Sequence, residues 1–532
     1  MGGDGRNGEA LDMAEMNGPS IALLRAPRRV RRVPSLPHVA VHTSGTLVND
    51  VQAQLNPTRV RRSLCAQSVE ALQAALAEAR KRRLAVSVCG ARHAMGAQQF
   101  GTDTLLLDLS GMDRILAFDP IVGQVEVEAG IRWPHLIAAL LERQHGGWPQ
   151  WSIRQKQSGA DDLSLGGALA ANIHGRGLSL KPIIGDVEAF TLLDAEGRLI
   201  RASRLEHPEL FRLAIGGYGL FGIVTSVRLR LMRRRKLERL VRLLRVEELI
   251  GAFEQRIREG FLYGDFQFAI DRSSDAFLRD GILSCYRPVE DARPIPLPQH
   301  ALNATQWEEL AYLAHANPRE AFERYAAHYL ATSGQLYWSD WHQMSTYVPR
   351  YHEAVSRRLS EAMDPLPQLD PIRPRSNGAG GDPPWYGVRA TEVITELYVP
   401  RPALAHFLSE VRRDFRRHGV PLIYGTIRLI ERDDESFLAW AKQPYACVIF
   451  NLHTIHTPAG LARTASDFRR LIDLAIGSGG SFYLTYHRFA TREQVVRCYP
   501  QFPGFLQLKR RYDPQERFQS DWYRHYRSLF AG

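Results

Sequence analysis

The sequence predicts an α+β protein built from more than one domain. Strand patterns and amphipathic helix patterns interleave with short connections from about residue 45 onward. The composition breaks at the basic run Arg233-Arg-Arg-Lys236, and 532 residues exceed what one hydrophobic core fills. Hydrophobic residues at 45% and charged residues at 23% are ordinary globular proportions, which excludes wholesale disorder. No apolar run approaches the ~18 residues of a membrane-crossing helix. The five cysteines (Cys65, Cys89, Cys285, Cys447 and Cys498) are scattered and never form C-x-x-C. A disulfide scaffold and a thiolate zinc site are therefore not expected, and a reducing compartment is. The formal charge of +11 leaves nucleic acid, an acidic surface or an anionic ligand open.

Residues 1–44 read as a polar, Gly-rich tail ending in Arg25, Arg28, Arg29, Arg31 and Arg32. The following RVPSLPHVAVHTSG is too polar for a signal-peptide core, and MGGDGR lacks a myristoylation Ser/Thr. A cytoplasmic location is expected, with peripheral contact to an anionic surface left open. Ser68 should cap a helix whose Val69, Leu72, Leu76 and Ala79 share one face. Strands are expected at 84–88, 104–108 and 124–128, then a helix at 133–144 and strands at 187–194 and 222–232. Beyond Lys236, helices are expected at 307–316 and 318–331, with a Pro/Gly loop at 365–385. Strands at 392–399, 423–430 and 447–452, with a helix at 402–418, complete the middle block.

Three glycine-bearing segments stand out in the first block. They are Val88-Cys-Gly90-Ala-Arg-His93-Ala-Met-Gly96-Ala-Gln98, Ser158-Gly159 through Gly177, and Gly216-Gly-Tyr-Gly-Leu-Phe-Gly222-Ile-Val-Thr225. Successive glycines let backbone N–H groups approach an anion. The third segment contains a literal G-x-G-x-x-G, but a β-branched, alternating strand follows it where a dinucleotide-binding Rossmann unit needs a helix.

In this order the segments resemble the FAD-binding domain of the vanillyl-alcohol-oxidase/p-cresol-methylhydroxylase (PCMH) superfamily. Gly90-Ala-Arg-His93-Ala-Met-Gly96-Ala-Gln98 resembles the pyrophosphate loop of cytokinin dehydrogenases and alditol oxidases, where the histidine is bonded to the flavin. Leu165-Gly-Gly-Ala-Leu-Ala-Ala-Asn-Ile-His-Gly-Arg176 is similar to the matching segment of decaprenylphosphoryl-ribose oxidases. Pro208-Glu-Leu-Phe211 with Gly216 to Thr225, and Asp513-Pro514 with Phe518, resemble two further family motifs.

The resemblance implies an FAD domain in two parts, 45–236 and 479–532, with an α+β substrate domain at 237–478 inserted between them. It implies FAD contacts from Gly90, Ala91, Arg92, His93, Ala94, Met95, Gly96 and Gln98. Further contacts are implied from Gly159, Ala160, Ser164, Gly166, Gly167, Ala171, His174, Gly175, Gly222, Ile223 and Tyr483, with His93 the residue for any covalent bond. Ala160 stands where bicovalent relatives have cysteine, so a second link is not expected. Thr426-Ile-Arg428 stands at the Glu-x-Arg pair of alditol and aldonolactone oxidases, and Tyr486 replaces the lysine of ribose-oxidase and alditol-oxidase relatives.

The expected activity is oxidation of a CH–OH group by hydride transfer to flavin N5, on a sugar-like or lipid-linked alcohol, with oxygen or another acceptor reoxidising the cofactor. Reduction of a carbon–carbon double bond, as in sterol side-chain reductases, is the alternative. Tyr486, His174, His453 and His487 are the candidate proton acceptors, and Arg428 or Arg176 the candidate cation for developing negative charge. His453 and His456 at i, i+3 show no third ligand at metal spacing, so no metal is expected. No nucleic-acid recognition motif accompanies the basic charge, so the expected partner is a small-molecule substrate.

Overall fold

The computed structural model describes residues 45–344 and 390–531; the expected tail, the loop 365–385 and the stretch 345–360 lie outside the described residues. The Ser68 side chain accepts a hydrogen bond from the Ala71 amide and starts the helix Val69–Lys81. Its buried Leu72, Ala75, Leu76 and Ala79 form the expected stripe. That stripe belongs to one core with the parallel sheet Arg62–Cys65, Leu105–Asp108, Val86–Cys89. An antiparallel five-stranded sheet follows, in the order Leu199–Ser203, Val187–Leu193, Ile223–Arg230, Gln124–Glu128, Ile115–Asp119.

The C-terminal return closes on this first sheet. Asp513 accepts the amides of Arg517 and Phe518, each at 2.8 Å, and pairs with the buried Lys509. Held in that turn, Phe518 bridges Val86, and the Val86 amide donates to the Arg517 carbonyl at 2.7 Å. The Asp-Pro…Phe motif is thus a clasp between chain regions far apart in sequence.

The middle of the chain builds an eight-stranded sheet. Its order is Leu336–Trp338, Lys236–Arg245, Asp280–Pro288, Tyr263–Phe268, Leu422–Ile430, Tyr445–Ile455, Ala390–Pro400, Ser481–Phe482. Helices Val246–Arg258, Leu404–His418 and Pro458–Gly477 pack on it, the second burying Leu404, Phe407, Leu408, Val411 and Phe415 at helical spacing. A helical hairpin, Ala304–Ala316 and Pro318–Ala331, has its two starts capped by Asn303 and Asn317. No helix among the described residues is long and apolar enough to cross a membrane.

From its sequence the basic run Arg233–Lys236 is expected on the surface, and the structure corrects this. The run Arg233–Lys236 does not lie wholly on a solvated surface: Arg234 is 6% exposed. Its Nε donates to Asp340 at 2.9 Å, Nη1 donates to Gln150 at 2.9 Å, and its guanidinium lies 4.0 Å over Trp338. Arg233 lies 4.1 Å over Trp151. A carboxylate and aromatic faces offset the desolvation of these cations, a compensation that a local charge count does not reveal. The aromatic run 337–342 packs as core, with His342 against Tyr263 and Tyr286.

Candidate active site

A cavity of about 550 Å³ lies where the three glycine segments, the eight-stranded sheet and the helical hairpin meet. Its size falls within the usual range for small-molecule sites. The first glycine loop leaves strand Val86–Cys89 and is pinned from both sides. Arg92 donates to Asp108 at 2.7 Å, Asn56 donates to the Met95 carbonyl at 2.8 Å, and Gln98 donates to the Thr485 carbonyl at 2.7 Å. The loop and the C-terminal return therefore reach the cavity as one fixed wall. His93 lines it, and its Nδ1 is buried without a hydrogen-bond partner among the described residues. Burial, ahead of the nearby Asp162 and Arg132 charges, pushes this imidazole below its ordinary value, which keeps it neutral.

The other two segments lock together. The amides of Gly216 and Tyr218 donate to the carbonyls of Leu169 and Ala170 in the short helix Leu165–Ala171. Glycine is required at two points of the cavity wall. A Cβ at Gly90 would lie 2.2 Å from Ser164 Oγ and 2.9 Å from Ser164 Cβ. Gly222 holds φ +150°, and a Cβ there would lie 2.6 Å from the Leu193 carbonyl oxygen. The wall is thus bare backbone where the strand begins.

Opposite that wall, one face of the eight-stranded sheet presents a polar row. Register places Gln267 beside Thr426, Thr426 beside Ile449, and Ile449 beside Glu396. One step along, Arg428, Cys447 and Tyr398 are neighbours, and on the other side Tyr424, Asn451 and Ile394. Glu396 is the centre of this face. It is 2% exposed, and Oε1 accepts from His174 Nε2 at 2.6 Å, Tyr398 Oη at 2.6 Å and Cys447 Sγ at 3.0 Å. Oε2 accepts from Tyr486 Oη at 3.0 Å. Burial works to raise this carboxyl, but the His174 charge and the hydrogen bonds from His174, Tyr398 and Cys447 outweigh it and hold it at about 2.

The other His174 nitrogen, Nδ1, lies 3.1 Å from the Gly175 carbonyl oxygen. Both ring nitrogens therefore lie against oxygen atoms, which fixes the orientation of the ring. Trp440 lies against the His174 ring at 5.3 Å and stacks on Tyr398 at 4.5 Å. Burial and then the Glu396 charge push the Tyr486 phenol well above its ordinary value, so it stays protonated. Arg428 and Arg176 line the same cavity, and the Nε of each is buried without a partner among the described residues. Burial opposes the Arg176 charge, but Asp265 and the surrounding tyrosines outweigh it and keep the guanidinium protonated.

The structure brings most of the expected residues to one cavity. Gly90 to Met95, Gln98, Gly159, Ser164, Gly166, Gly167, Ala171, His174, Gly222, Ile223, Tyr483, Tyr486 and Arg428 all line it. Gly96, Ala160 and Gly175 stand behind the lining. The Gly96 amide donates to Gln98, the Ala160 carbonyl accepts from the buried Lys156, and the Gly175 amide donates to Gln155. His453 lies instead on a neighbouring cavity, and His487 lines neither, packing between Phe468 and Phe489. His453 shares the face of Asn451 but lies further along the strand, beyond the main cavity, and a tight turn carries the His487 ring away, so proximity in sequence to Asn451 and Tyr486 misplaced them.

Glu396 is the residue that sequence reasoning missed. The carboxylate expected two residues before Arg428 is absent at Thr426, and Glu396 supplies one two strands away in the same row. Its signal was two glutamates inside the apolar strand pattern Thr391-Glu-Val-Ile-Thr-Glu-Leu-Tyr-Val399.

FAD fits this donor set. The backbone wall admits no Cβ at Gly90, Ser158 and His93 offer buried polar atoms without partners among the described residues, and cations are already in place. A family model described as FAD binding domain matches residues 61–203. The L-gulono-1,4-lactone dehydrogenase of Mycobacterium tuberculosis is 23% identical over 455 residues, covering 84% of this chain and 92% of that protein. The L-galactono-1,4-lactone dehydrogenase 1 of Oryza sativa subsp. japonica is 36% identical over 134 residues, 25% of this chain and 21% of its own length. The L-gulonolactone oxidase of Bos taurus is 30% identical over 163 residues, 30% of this chain and 35% of its own length. The glycine walls, the clasped return and these relatives lead to one conclusion: the chain is an FAD-dependent oxidoreductase with a PCMH-type FAD-binding domain.

Proposed function

We propose that the protein oxidises a CH–OH carbon of a hydroxylated, sugar-like ring that carries an apolar extension. The observation supporting this is the two-sided lining of the cavity beyond the glycine walls. Arg176, Gln267, Tyr424, Arg428, Asn451 and Tyr486 form a hydrogen-bonding side. Trp307, Leu310, Phe322, Tyr325 and Tyr329, from the helical hairpin, form an apolar and aromatic side. The lactone names of the relatives fit the first side, and the hairpin adds the second.

FAD, when bound, supplies the two-electron acceptor. The remaining work falls to side chains of this chain. A substrate hydroxyl donates to Tyr486 Oη, whose own proton is directed at Glu396 Oε2. Glu396, held at about 2, stays ionised and fixes the Tyr486 hydroxyl as the group that positions the substrate oxygen. His174, Tyr398 and Cys447 hold Glu396 in place, and the sheet row excludes water from it. Arg428 and Arg176 put fixed positive charge where negative charge develops.

The test is kcat/KM for L-gulono-1,4-lactone against an aryl or long-chain alkyl glycoside, with any acceptor. At least a tenfold preference for the extended substrate is expected; equal rates, or no oxidation of either, overturn the reading.

The glycine wall makes a separate prediction. Gly90→Ala should weaken FAD binding tenfold or more, read by fluorescence titration of apoprotein. Rotating the Ser164 hydroxyl relieves only one of the two contacts, so the backbone must shift by an overpacking cost of about 1–3 kcal/mol. An unchanged Kd would count against this loop as the FAD wall. The neutral His93, whose Nδ1 has no partner among the described residues, also suits a nucleophile toward the cofactor. If the link forms, acid precipitation leaves the yellow colour in the pellet, and His93→Ala moves it to the supernatant.

A further inference from the structure

A second polar cluster lies on the same sheet face, separate from the oxidation chemistry. His453 is the register partner of Glu392, and its Nδ1 lies 3.0 Å from Glu392 Oε1. From the last turn of helix Ala304–Ala316, His315 brings Nε2 to 3.4 Å from the same oxygen. The two imidazoles meet edge to face with centroids 5.0 Å apart, and one donor atom from each of the three residues lies within 4.8 Å of the others. The side chains are 2%, 2% and 9% exposed for His315, Glu392 and His453.

We propose that His315, Glu392 and His453 bind a divalent cation of the Zn²⁺ class, with an open coordination position toward the adjoining cavity. The donor set is two imidazole nitrogens and one carboxylate oxygen, a chemistry that suits zinc and its neighbours rather than calcium or magnesium. Bonds of about 2.0–2.1 Å in a tetrahedral site separate neighbouring donors by about 3.3 Å. The 3.0 and 3.4 Å separations of the two imidazoles from Glu392 Oε1 lie near that spacing, and the third donor pair lies within 4.8 Å. The three ligands come from a helix end and two paired strands, so the fold orders the site before any ion arrives. Both histidines line a cavity of about 340 Å³ that also holds Asp271 and Arg272, leaving room for water or an anionic ligand on the ion.

The site is distinct from the Glu396 cluster. Glu392 and Glu396 are four residues apart on one strand, roughly 13 Å at the usual rise. Glu396 is saturated by four hydrogen bonds, whereas Glu392 faces the two imidazoles. The second cavity does share Ile270, Ala314 and Ile423 with the first, so an ion here would stand behind the apolar wall of the substrate space.

Untagged, FAD-loaded protein should first be stripped with a chelator and dialysed. Co²⁺ titration should then give one equivalent of visible absorption of a four-coordinate ion, read to the red of the flavin bands. Zn²⁺ should displace it, and elemental analysis should find one retained zinc. His453→Ala should abolish the Co²⁺ band, and Glu392→Gln should weaken binding at least a hundredfold, both with FAD occupancy unchanged as the measure of folding. Should a variant lose its flavin, the wild-type titration alone decides. Absence of a saturable band and of retained zinc in the wild type, or an unaltered band in folded His453→Ala, overturns the proposal.

Discussion

Glu396→Gln should lower kcat by about 10²-fold, the order of cost of misplacing a positioned group, with KM changed far less. Glutamine keeps the shape but not the acceptor pattern. Glu396 takes three hydrogen bonds on one oxygen and one from Tyr486 on the other. An amide nitrogen must then face either Tyr486 or the His174 group, setting donor against donor. Tyr486 loses the group that orients it. Flavin occupancy should be retained, because the glycine walls are untouched, and the pH profile of kcat should change shape. A variant with wild-type kcat and profile would remove Glu396 from the mechanism.

The same residue predicts how stability depends on acid. Its folded value of about 2 lies below the 4.5 of an ordinary glutamate. A depressed carboxyl stabilises the fold fully above pH 4.5, and that contribution is lost as pH falls toward 2. Its size is on the order of 3 kcal/mol if the unfolded chain titrates normally. The urea midpoint of the wild type should therefore fall across pH 4.5 to 2 more steeply than that of Glu396→Gln.

Arg234→Ala should destabilise the protein by about 3–5 kcal/mol, read as a shift in urea midpoint. Arg234 and Asp340 are 6% and 3% exposed at their side chains, so removing the cation strands a buried carboxylate. The Trp341 amide still donates to Asp340 at 3.0 Å, which a carboxylate without its counter-charge finds insufficient. The stack on Trp338 and the bond to Gln150 go as well. Gln150 belongs to the glycine-segment half and Asp340 follows an edge strand of the large sheet, so Arg234 ties the two together. Arg234→Lys should recover part of the loss, since it keeps the charge but not the planar fork. By contrast, breaking the Arg511–Glu209 pair, whose side chains are 57% and 50% exposed, should change stability by less than about 1 kcal/mol. Equal effects for the two would refute the burial argument.

How much of this was legible beforehand depends on the range of the interaction. The Ser68 cap, the stripe Leu72, Leu76 and Ala79, and the alternation of 124–128 are local patterns, and they appear within a residue or two of their expected places. The glycine loops were legible because a missing Cβ is a local property whatever the partner. A strand after Gly222 likewise follows from β-branching alone. His453 and His487 were misplaced because the packing of the hairpin and the sheet decides how far along a strand a cavity extends and turn geometry decides which way a ring points, and neighbours along the chain say little about either. Arg234 was read as solvated because its partner Asp340 lies 106 residues away.

The basic charge divides along the same line. By itself the sequence determined an α+β chain with three glycine segments and no membrane-crossing apolar run, since each follows from short-range pattern, and those segments carried the resemblance to a PCMH-type FAD domain. Only the tertiary structure decided where charge is buried, that Glu396 anchors His174 and Tyr486, and that His315 meets Glu392 and His453. Those groups belong to elements up to 222 residues apart, as in the His174–Glu396 bond, and sheet register brings them within hydrogen-bonding distance. Electrostatic and hydrogen-bond energies depend on that separation and on burial, neither of which is a property of a residue or its neighbours in sequence.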